Sequence, residues 1–129
     1  MKQFKTKKFN NEASKVGLKD EVLLETLTNF LKLNRDEQIK FSLGAGLYKV
    51  RIATKEGRGK SAGSRTILAF KRDNGMYWLH LLKKKKKGNV TSSELKKLKH
   101  VADILFGLTD EQINKLITLG ELCEVKNNV

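Results

Sequence analysis

Residues 47–53 read LYKVRIA and alternate apolar with basic side chains. Because successive side chains of a β-strand point to opposite faces, Tyr48, Val50 and Ile52 share one side while Lys49 and Arg51 share the other. Residues 64–70 (SRTILAF) and 76–82 (MYWLHLL) predict a second and a third strand, and Asp-Asn-Gly at 73–75 is a strong hairpin signal. The pattern predicts a three-stranded antiparallel meander.

Helical patterns flank these strands on both sides. Residues 10–16 predict a short helix that ends at Gly17, and residues 20–33 predict a second, with Asp20 as its N-cap or first-turn acid. Capping-box sequences at 91–94 and 109–112 each begin a further helix, the second ending at Gly120. We therefore predict an α+β fold with two N-terminal helices, a three- to four-stranded antiparallel sheet and C-terminal helices.

The positive charge is concentrated in one part of the chain. In total, 27 Lys+Arg and 14 Asp+Glu give a net charge of +13, and residues 46–100 alone hold 16 basic and three acidic residues, 16 − 3 = +13. Such a concentration on a small domain is typical of a protein with a polyanionic partner. Nucleic acid is favoured over lipid, because a lipid surface would call for an accompanying apolar anchor.

Composition limits the remaining classes. The 129 residues fit one domain, and 39% hydrophobic with 32% charged residues is globular rather than disordered. One cysteine closes no intrachain disulfide and suits a cytoplasmic protein. With two histidines there is no zinc-ligand spacing, so we expect neither metal nor cofactor. No signal peptide or membrane-spanning run is visible, so we expect no membrane partner.

Several basic positions admit both a functional and a structural interpretation. Lys49 and Arg51 are either solvated or bound to a polyanion that relieves their repulsion. The loop at 57–63 either lets backbone amides approach a phosphate or simply joins two strands, and it lacks Walker A spacing. Arg65 lies inside a strand and must project to a sheet face. The lysine run at 83–87 is a solvated segment with non-specific nucleic-acid affinity, or a nuclear import signal.

Catalysis, if present, must depend on lysine and arginine. Carboxylates are scarce in the basic segment, which disfavours a carboxylate-pair or two-metal nuclease. His80 is a conceivable general base, but a lone histidine in an apolar strand more often has a structural role. RNA supplies its own nucleophile, the ribose 2′-OH, so a lysine with a lowered pKa could act as base and an arginine could stabilise the developing charge. DNA lacks this hydroxyl.

Two motifs resemble the RelE/HigB branch of bacterial type II toxins, within the RelE/ParE superfamily. Residues 43–53 (LGAGLYKVRIA) are similar to the family pattern LGxGLxKxRxA, and residues 57–65 (GRGKSAGSR) are similar to GxGKxGGxR. The ending GELCEV at 120–125 also resembles this branch. The resemblance implies that residues 1–129 form a single RelE-like toxin domain, with the fold of a microbial ribonuclease.

The resemblance further implies a ribosome-dependent mRNA interferase. Its partners would be the ribosome, mRNA and a cognate antitoxin, often a helix-turn-helix DNA-binding protein, and it would require no metal. The predicted catalytic residues are Lys49, Arg51, Arg65 and Lys84, and the predicted RNA-binding residues are Arg58, Lys60, Lys83, Lys85, Lys86 and Lys87. Two alternatives stay open, a gyrase inhibitor of the ParE type and a non-catalytic RNA-binding protein.

Overall fold

The computed structural model describes residues 2–53, 63–71, 75–82 and 90–125. Helices and strands follow one another along these ranges. In chain order they are β1 (Gln3–Thr6), α1 (Lys7–Lys15), α2 (Asp20–Lys32), α3 (Arg35–Ile39), β2 (Ser42–Gly44), β3 (Leu47–Ala53), β4 (Gly63–Lys71), β5 (Gly75–Leu82), α4 (Ser92–Phe106), α5 (Asp110–Thr118) and β6 (Leu122–Glu124).

The strands form one mixed sheet in the order β2-β3-β4-β5-β1-β6. β3, β4 and β5 are the predicted antiparallel meander, and the pairing of Lys71 with Gly75 confirms the hairpin between β4 and β5. The prediction of a three- to four-stranded antiparallel sheet is wrong in size and in type. Three short strands extend the meander at its two edges, and β1 runs parallel to β5.

The first strand lies between β5 and the last strand, β6. Phe4 pairs with Tyr77 on one side and with Glu124 on the other, and the Val125 amide donates to the Gln3 carbonyl over 2.9 Å. The Gln3 side chain is buried, and its Oε1 accepts a hydrogen bond of 2.9 Å from the Trp78 indole. A buried indole N–H needs such an acceptor, so β1 contributes both ladder hydrogen bonds and a partner for the core tryptophan.

The N-terminal region contains three helices rather than the two predicted. α1 begins at Lys7, not at residue 10, because the Thr6 hydroxyl caps it by accepting from the Phe9 amide. Gly17, at φ +70°, follows its end as expected. α3 was not predicted, since five residues show little periodicity, and a capping box between Asn34 and Glu37 defines its start.

The other helix boundaries agree with the sequence signals. Capping boxes at Thr91 with Glu94 and at Thr109 with Gln112 begin α4 and α5. Asp20 is a first-turn acid of α2, and its N-cap is Lys19. Gly120 follows α5 at φ +80°, where a side chain would be strained. These predictions are confirmed.

Helices cover both faces of the sheet. α1 and α2 pack on the face that carries Val50, Ile52, Leu68 and Trp78. α4 and α5 pack on the other face, which carries Leu47, Ile67, Ala69 and Tyr77. Each face therefore buries its own apolar cluster.

Candidate nucleic-acid interface

Three of the predicted catalytic residues lie together at one end of the meander. Lys49 and Arg51 share a face of β3, and the register places Arg51 directly opposite Arg65 of β4. Lys49 pairs with Ile67, so it is the diagonal neighbour of Arg65 on the same face. Directly opposed side chains have Cβ atoms about 5 Å apart, and diagonal ones about 7–8 Å. We call Lys49, Arg51 and Arg65 the basic triad.

The triad occupies the end of the face that α4 and α5 leave uncovered. Leu47 and Ile67, on the same face, are fully buried beneath these helices, whereas Arg51 and Arg65 are exposed and Lys49 is half-buried. The predicted opposite side of β3 is confirmed as core, since Val50 and Ile52 are buried under the N-terminal helices. The triad therefore does not lie on an open sheet face. It lies at the end of a face whose remaining part is covered by α4 and α5.

Lys49 has a perturbed acid–base equilibrium. Its pKa is lowered, first by partial burial, which disfavours the ammonium form, and second by the positive charge of Arg65. A lowered pKa increases the fraction of neutral amine near pH 7, the form that accepts a proton. Lys49 thus combines a position beside two arginines with an increased tendency to lose its proton.

Like charges concentrate at this end. Arg51 and Arg65 face each other across the ladder, an arrangement that destabilises a sheet when nothing bridges the charges. A planar guanidinium offers two parallel N–H donors to a phosphate, so two opposed arginines fit one or two phosphates of a polynucleotide. The arrangement is suited to binding and neutralising phosphate.

The remaining predicted site residues lie outside the described residues. These are Lys84 of the catalytic set, and Arg58, Lys60, Lys83, Lys85, Lys86 and Lys87 of the RNA-binding set. Among the described residues, Ala53 pairs with Gly63 and Leu82 pairs with Arg65, so β3 and β5 end, and β4 begins, at the triad's end of the sheet.

His80 occupies a separate position. The register between β4 and β5 shifts after the Ile67–His80 pair, so β5 carries an extra residue there. The Nδ1 of His80 lies 3.8 Å from Oε1 of Glu12 in α1, and both atoms are buried without a hydrogen-bond partner among the described residues. Burial, and then the charge of Lys8, lower the pKa of His80, against the opposite effects of Glu12 and Glu94. This setting favours the structural interpretation.

A groove lies at the other end of the meander, where β3 begins and β4 ends. It encloses about 790 Å³ between the α2–α3 segment, the β2–β3 turn and Phe106. Its charged lining residues are Arg35, Lys71 and Asp103, of both signs. It therefore lacks the one-sided charge of the triad, and we do not place the phosphate chemistry there.

The β2–β3 turn explains the glycines of the first motif. Gly44, Ala45 and Gly46 all have positive φ, at +88°, +54° and +81°. A Cβ on Gly46 would lie 2.8 Å from Cε2 of Phe106, which is shorter than a van der Waals contact between two carbon atoms. These residues hold α4 against the sheet edge, so the motif is partly structural.

Sequence reasoning did not single out Lys96 and Lys99 of α4, which line a shallow groove. Lys99 is half-buried, and its Nζ lies 3.4 Å from where a Cβ of Gly44 would be. Lys96 and Lys99 follow Ser92 by four and seven residues, the spacing that places side chains on one side of a helix. Within the described ranges, no cluster of His, Cys, Asp and Glu could hold a metal, and no helix has the length and apolarity to cross a membrane.

The comparison with protein families gives a match over most of the chain. A family model described as "RelE toxin of RelE / RelB toxin-antitoxin system" matches residues 1–125, which include every described element and the whole triad. No curated protein and no solved structure matches the chain. Since the family model covers nearly the full sequence, the chain belongs to the RelE toxin family, the toxins of toxin–antitoxin systems that act with a cognate antitoxin.

Proposed function

We propose that this toxin inhibits translation as a ribosome-dependent endoribonuclease of the HigB branch that cleaves mRNA. The observation that carries the proposal is the basic triad, in which Lys49, Arg51 and Arg65 converge at the uncovered end of the sheet in a RelE family chain. Three cations at one site fit a phosphate of an RNA strand. The scarcity of carboxylates between residues 46 and 100 favours chemistry based on lysine and arginine.

The proposed reaction is a transesterification within the RNA. The 2′-oxygen of one ribose attacks the adjacent phosphorus, the bond from phosphorus to the 5′-oxygen breaks, and a 2′,3′-cyclic phosphate forms. The 2′-hydroxyl proton passes to a lysine amine, and the leaving 5′-oxygen takes a proton from solvent. The protein must hold the strand in line and neutralise charge on the phosphorane-like transition state.

Each triad residue has a proposed role. Lys49 and Arg51 orient the phosphate, and Arg65 stabilises the charge that develops on its oxygens. Lys49 is the proton acceptor that the structure supports, because burial and Arg65 lower its pKa. Lys84 is the alternative acceptor, and Arg58, Lys60, Lys83, Lys85, Lys86 and Lys87 add affinity for the RNA backbone.

The partners follow from the same charge. The antitoxin, which we expect to be a helix-turn-helix DNA-binding protein, would neutralise the toxin by laying acidic side chains or a helix over the basic face. Ribosome and mRNA would both present phosphates to it. The chain would act in the cytoplasm as a single domain.

The test is tightly repressed expression in a bacterium, with primer extension on a reporter mRNA. Arg65→Ala is the test variant, and Arg35→Ala is its matched control, because Arg35 is an exposed arginine on α3, away from the triad. Both substitutions are at exposed positions and should change the free energy of unfolding by less than about 0.5 kcal/mol.

We expect growth arrest and discrete, codon-phased cuts from the wild type and from Arg35→Ala, and neither from folded Arg65→Ala. Full toxicity of Arg65→Ala would overturn the assignment of that residue. Arrest with DNA breaks and intact mRNA would instead indicate a gyrase inhibitor of the ParE type. RNA binding without arrest or cuts would indicate a non-catalytic RNA-binding protein.

A further inference from the structure

The N-terminal half of α4 carries a second basic surface that the family motifs do not include. Ser92, Ser93, Leu95, Lys96 and Lys99 line a groove of about 380 Å³. Two ammonium groups and two hydroxyls, all hydrogen-bond donors, thus surround one shallow depression. Their chemistry matches that of phosphate oxygens.

The helical geometry sets these side chains on one flank of α4. An α-helix turns by about 100° per residue, so Ser92, Lys96 and Lys99 lie in one row. The apolar stripe of Leu95, Leu98, Ala102 and Leu105 lies beside this row and packs on the sheet. The row meets the sheet at Lys99, which is half-buried, and continues outward from there to Lys96 and Ser92, which are exposed.

The contact between Lys99 and Gly44 shows where the row meets the sheet. Nζ of Lys99 lies 3.4 Å from the position of a Gly44 Cβ. Gly44 pairs with Leu47 at the start of β3. Lys49 lies two residues beyond Leu47 on β3 and on the same face of the sheet, about 7 Å from Leu47 at strand spacing. The row and the basic triad are thus neighbours.

The charge of the combined surface is positive except at Asp103, which follows Lys99 by one helical turn in the same row. It carries Lys96 and Lys99 from α4 and the triad from the sheet. Glu94 is the acid nearest in sequence, and its Oε1 accepts from the amide and the hydroxyl of Thr91 in the capping box. This carboxylate is engaged at the helix cap, so it competes weakly with a ligand for the lysines.

We propose that Ser92, Lys96 and Lys99 bind the sugar–phosphate backbone of the substrate RNA beside the cleaved phosphate, as an extension of the triad. This inference rests on the proposed ribonuclease function and adds the path of the strand to it. The contacts are with phosphate and carry no base specificity, since lysine and serine contact the backbone as donors. They would raise affinity uniformly across sequences.

The test compares two neutralised pairs of lysines. The test variant is Lys96→Gln with Lys99→Gln, which removes two charges while keeping helix propensity and part of each aliphatic stem. The control is Lys97→Gln with Lys115→Gln, two exposed lysines on α4 and α5 outside the groove. Both proteins carry the same net charge, so an effect of overall charge would be equal in the two.

Binding of a fluorescently labelled 12-nucleotide oligouridine is measured by anisotropy over a series of KCl concentrations. We expect the test variant to lose at least about tenfold in affinity at low salt, and its salt slope to fall by about 1.4, because each phosphate neutralised on a single strand contributes about 0.7 to that slope. The control should lose less than about threefold, with a nearly unchanged slope. Equal losses in the two variants, or no loss in either, would overturn the proposal.

Primer extension on the same variants separates this inference from the proposed function. Wild-type cuts that persist undiminished in the test variant would overturn the α4 path while the ribonuclease assignment stands. The ribonuclease assignment fails if the wild type produces no cuts and binds the oligonucleotide no better than Arg65→Ala does. In that case the proposal that α4 binds the substrate RNA fails as well. Circular dichroism and urea unfolding establish that each variant is folded.

Discussion

Replacing Gly46 with alanine should destabilise the protein by more than the same change at Gly17. Both glycines have positive φ, +81° and +70°, so a side chain at either costs about 1–2 kcal/mol in backbone strain. At Gly17 an added Cβ meets nothing within 4 Å, whereas at Gly46 it lies 2.8 Å and 3.1 Å from two ring atoms of Phe106 and 3.4 Å from the Phe70 carbonyl oxygen. Gly17 is therefore a matched control for steric overlap.

The expected magnitudes follow from these contacts. The Phe106 ring is confined, with Tyr77 in edge contact at 6.2 Å and the Lys71 ammonium 5.8 Å from its centroid. Overpacking of this kind costs about 1–3 kcal/mol. Gly46→Ala should therefore lose about 2–5 kcal/mol and Gly17→Ala about 1–2 kcal/mol. The entropy that alanine removes from the unfolded chain is common to both and cancels in the comparison.

The assay is urea unfolding followed by the fluorescence of Trp78, the one tryptophan of the chain. A Gly46→Ala/Phe106→Leu double variant completes a mutant cycle, and its loss should be smaller than the sum of the two single losses, because the smaller side chain relieves the overlap. Equal losses for Gly46→Ala and Gly17→Ala would refute the reasoning, as would strict additivity in the cycle.

Three further predictions concern the core, the acid response and the proton acceptor. Gln3→Leu should lower the free energy of unfolding by about 1–3 kcal/mol, because the buried Trp78 indole loses its acceptor, and an unchanged urea midpoint would contradict this. The pKa of His80 is lowered in the folded protein, so just below the ordinary histidine pKa of about 6.5 the unfolded chain binds more protons than the folded one. The free energy of unfolding should therefore fall as the pH decreases through about 6.5. His80→Asn should reduce that fall between pH 7 and pH 5.5, and identical pH profiles of the urea midpoint would speak against it. Lys49→Arg keeps the charge but removes the proton acceptor, so cleavage should drop by about 10²–10⁴-fold with RNA affinity retained, and persistent cuts would transfer the role to another residue such as Lys84.

The longer elements could be predicted from the sequence because each contains its own periodic signal. β3 alternates over its seven residues, β4 and β5 contain longer apolar runs joined by the Asp-Asn-Gly hairpin signal, and α4 and α5 begin with capping boxes. β1, β2 and β6 have only three or four residues, too few for alternation to be distinguished from chance. Their strand conformation depends on pairing with distant segments, and local sequence does not report it.

The site was predictable in part for the same reason. Alternation alone places Lys49 and Arg51 on one face, but the position of Arg65 opposite Arg51 depends on the register between β3 and β4. That register depends on the conformation of the segment joining them, which periodicity does not determine. The neighbouring row on α4 depends in turn on how that helix packs on the sheet, a tertiary contact without a local signature.

The position of β1 inside the sheet has a consequence for folding kinetics. Phe4 pairs with Tyr77 and Glu124, at sequence separations of 77 − 4 = 73 and 124 − 4 = 120 residues, whereas β3–β4 and β4–β5 join neighbouring strands. Contacts of long sequence separation carry a larger loop-closure entropy and form slowly. A chain synthesised from its N-terminus therefore makes β1 first and completes its pairing last. The meander with its triad can assemble locally, while the native edge of the sheet closes only when residues 122–124 have been made.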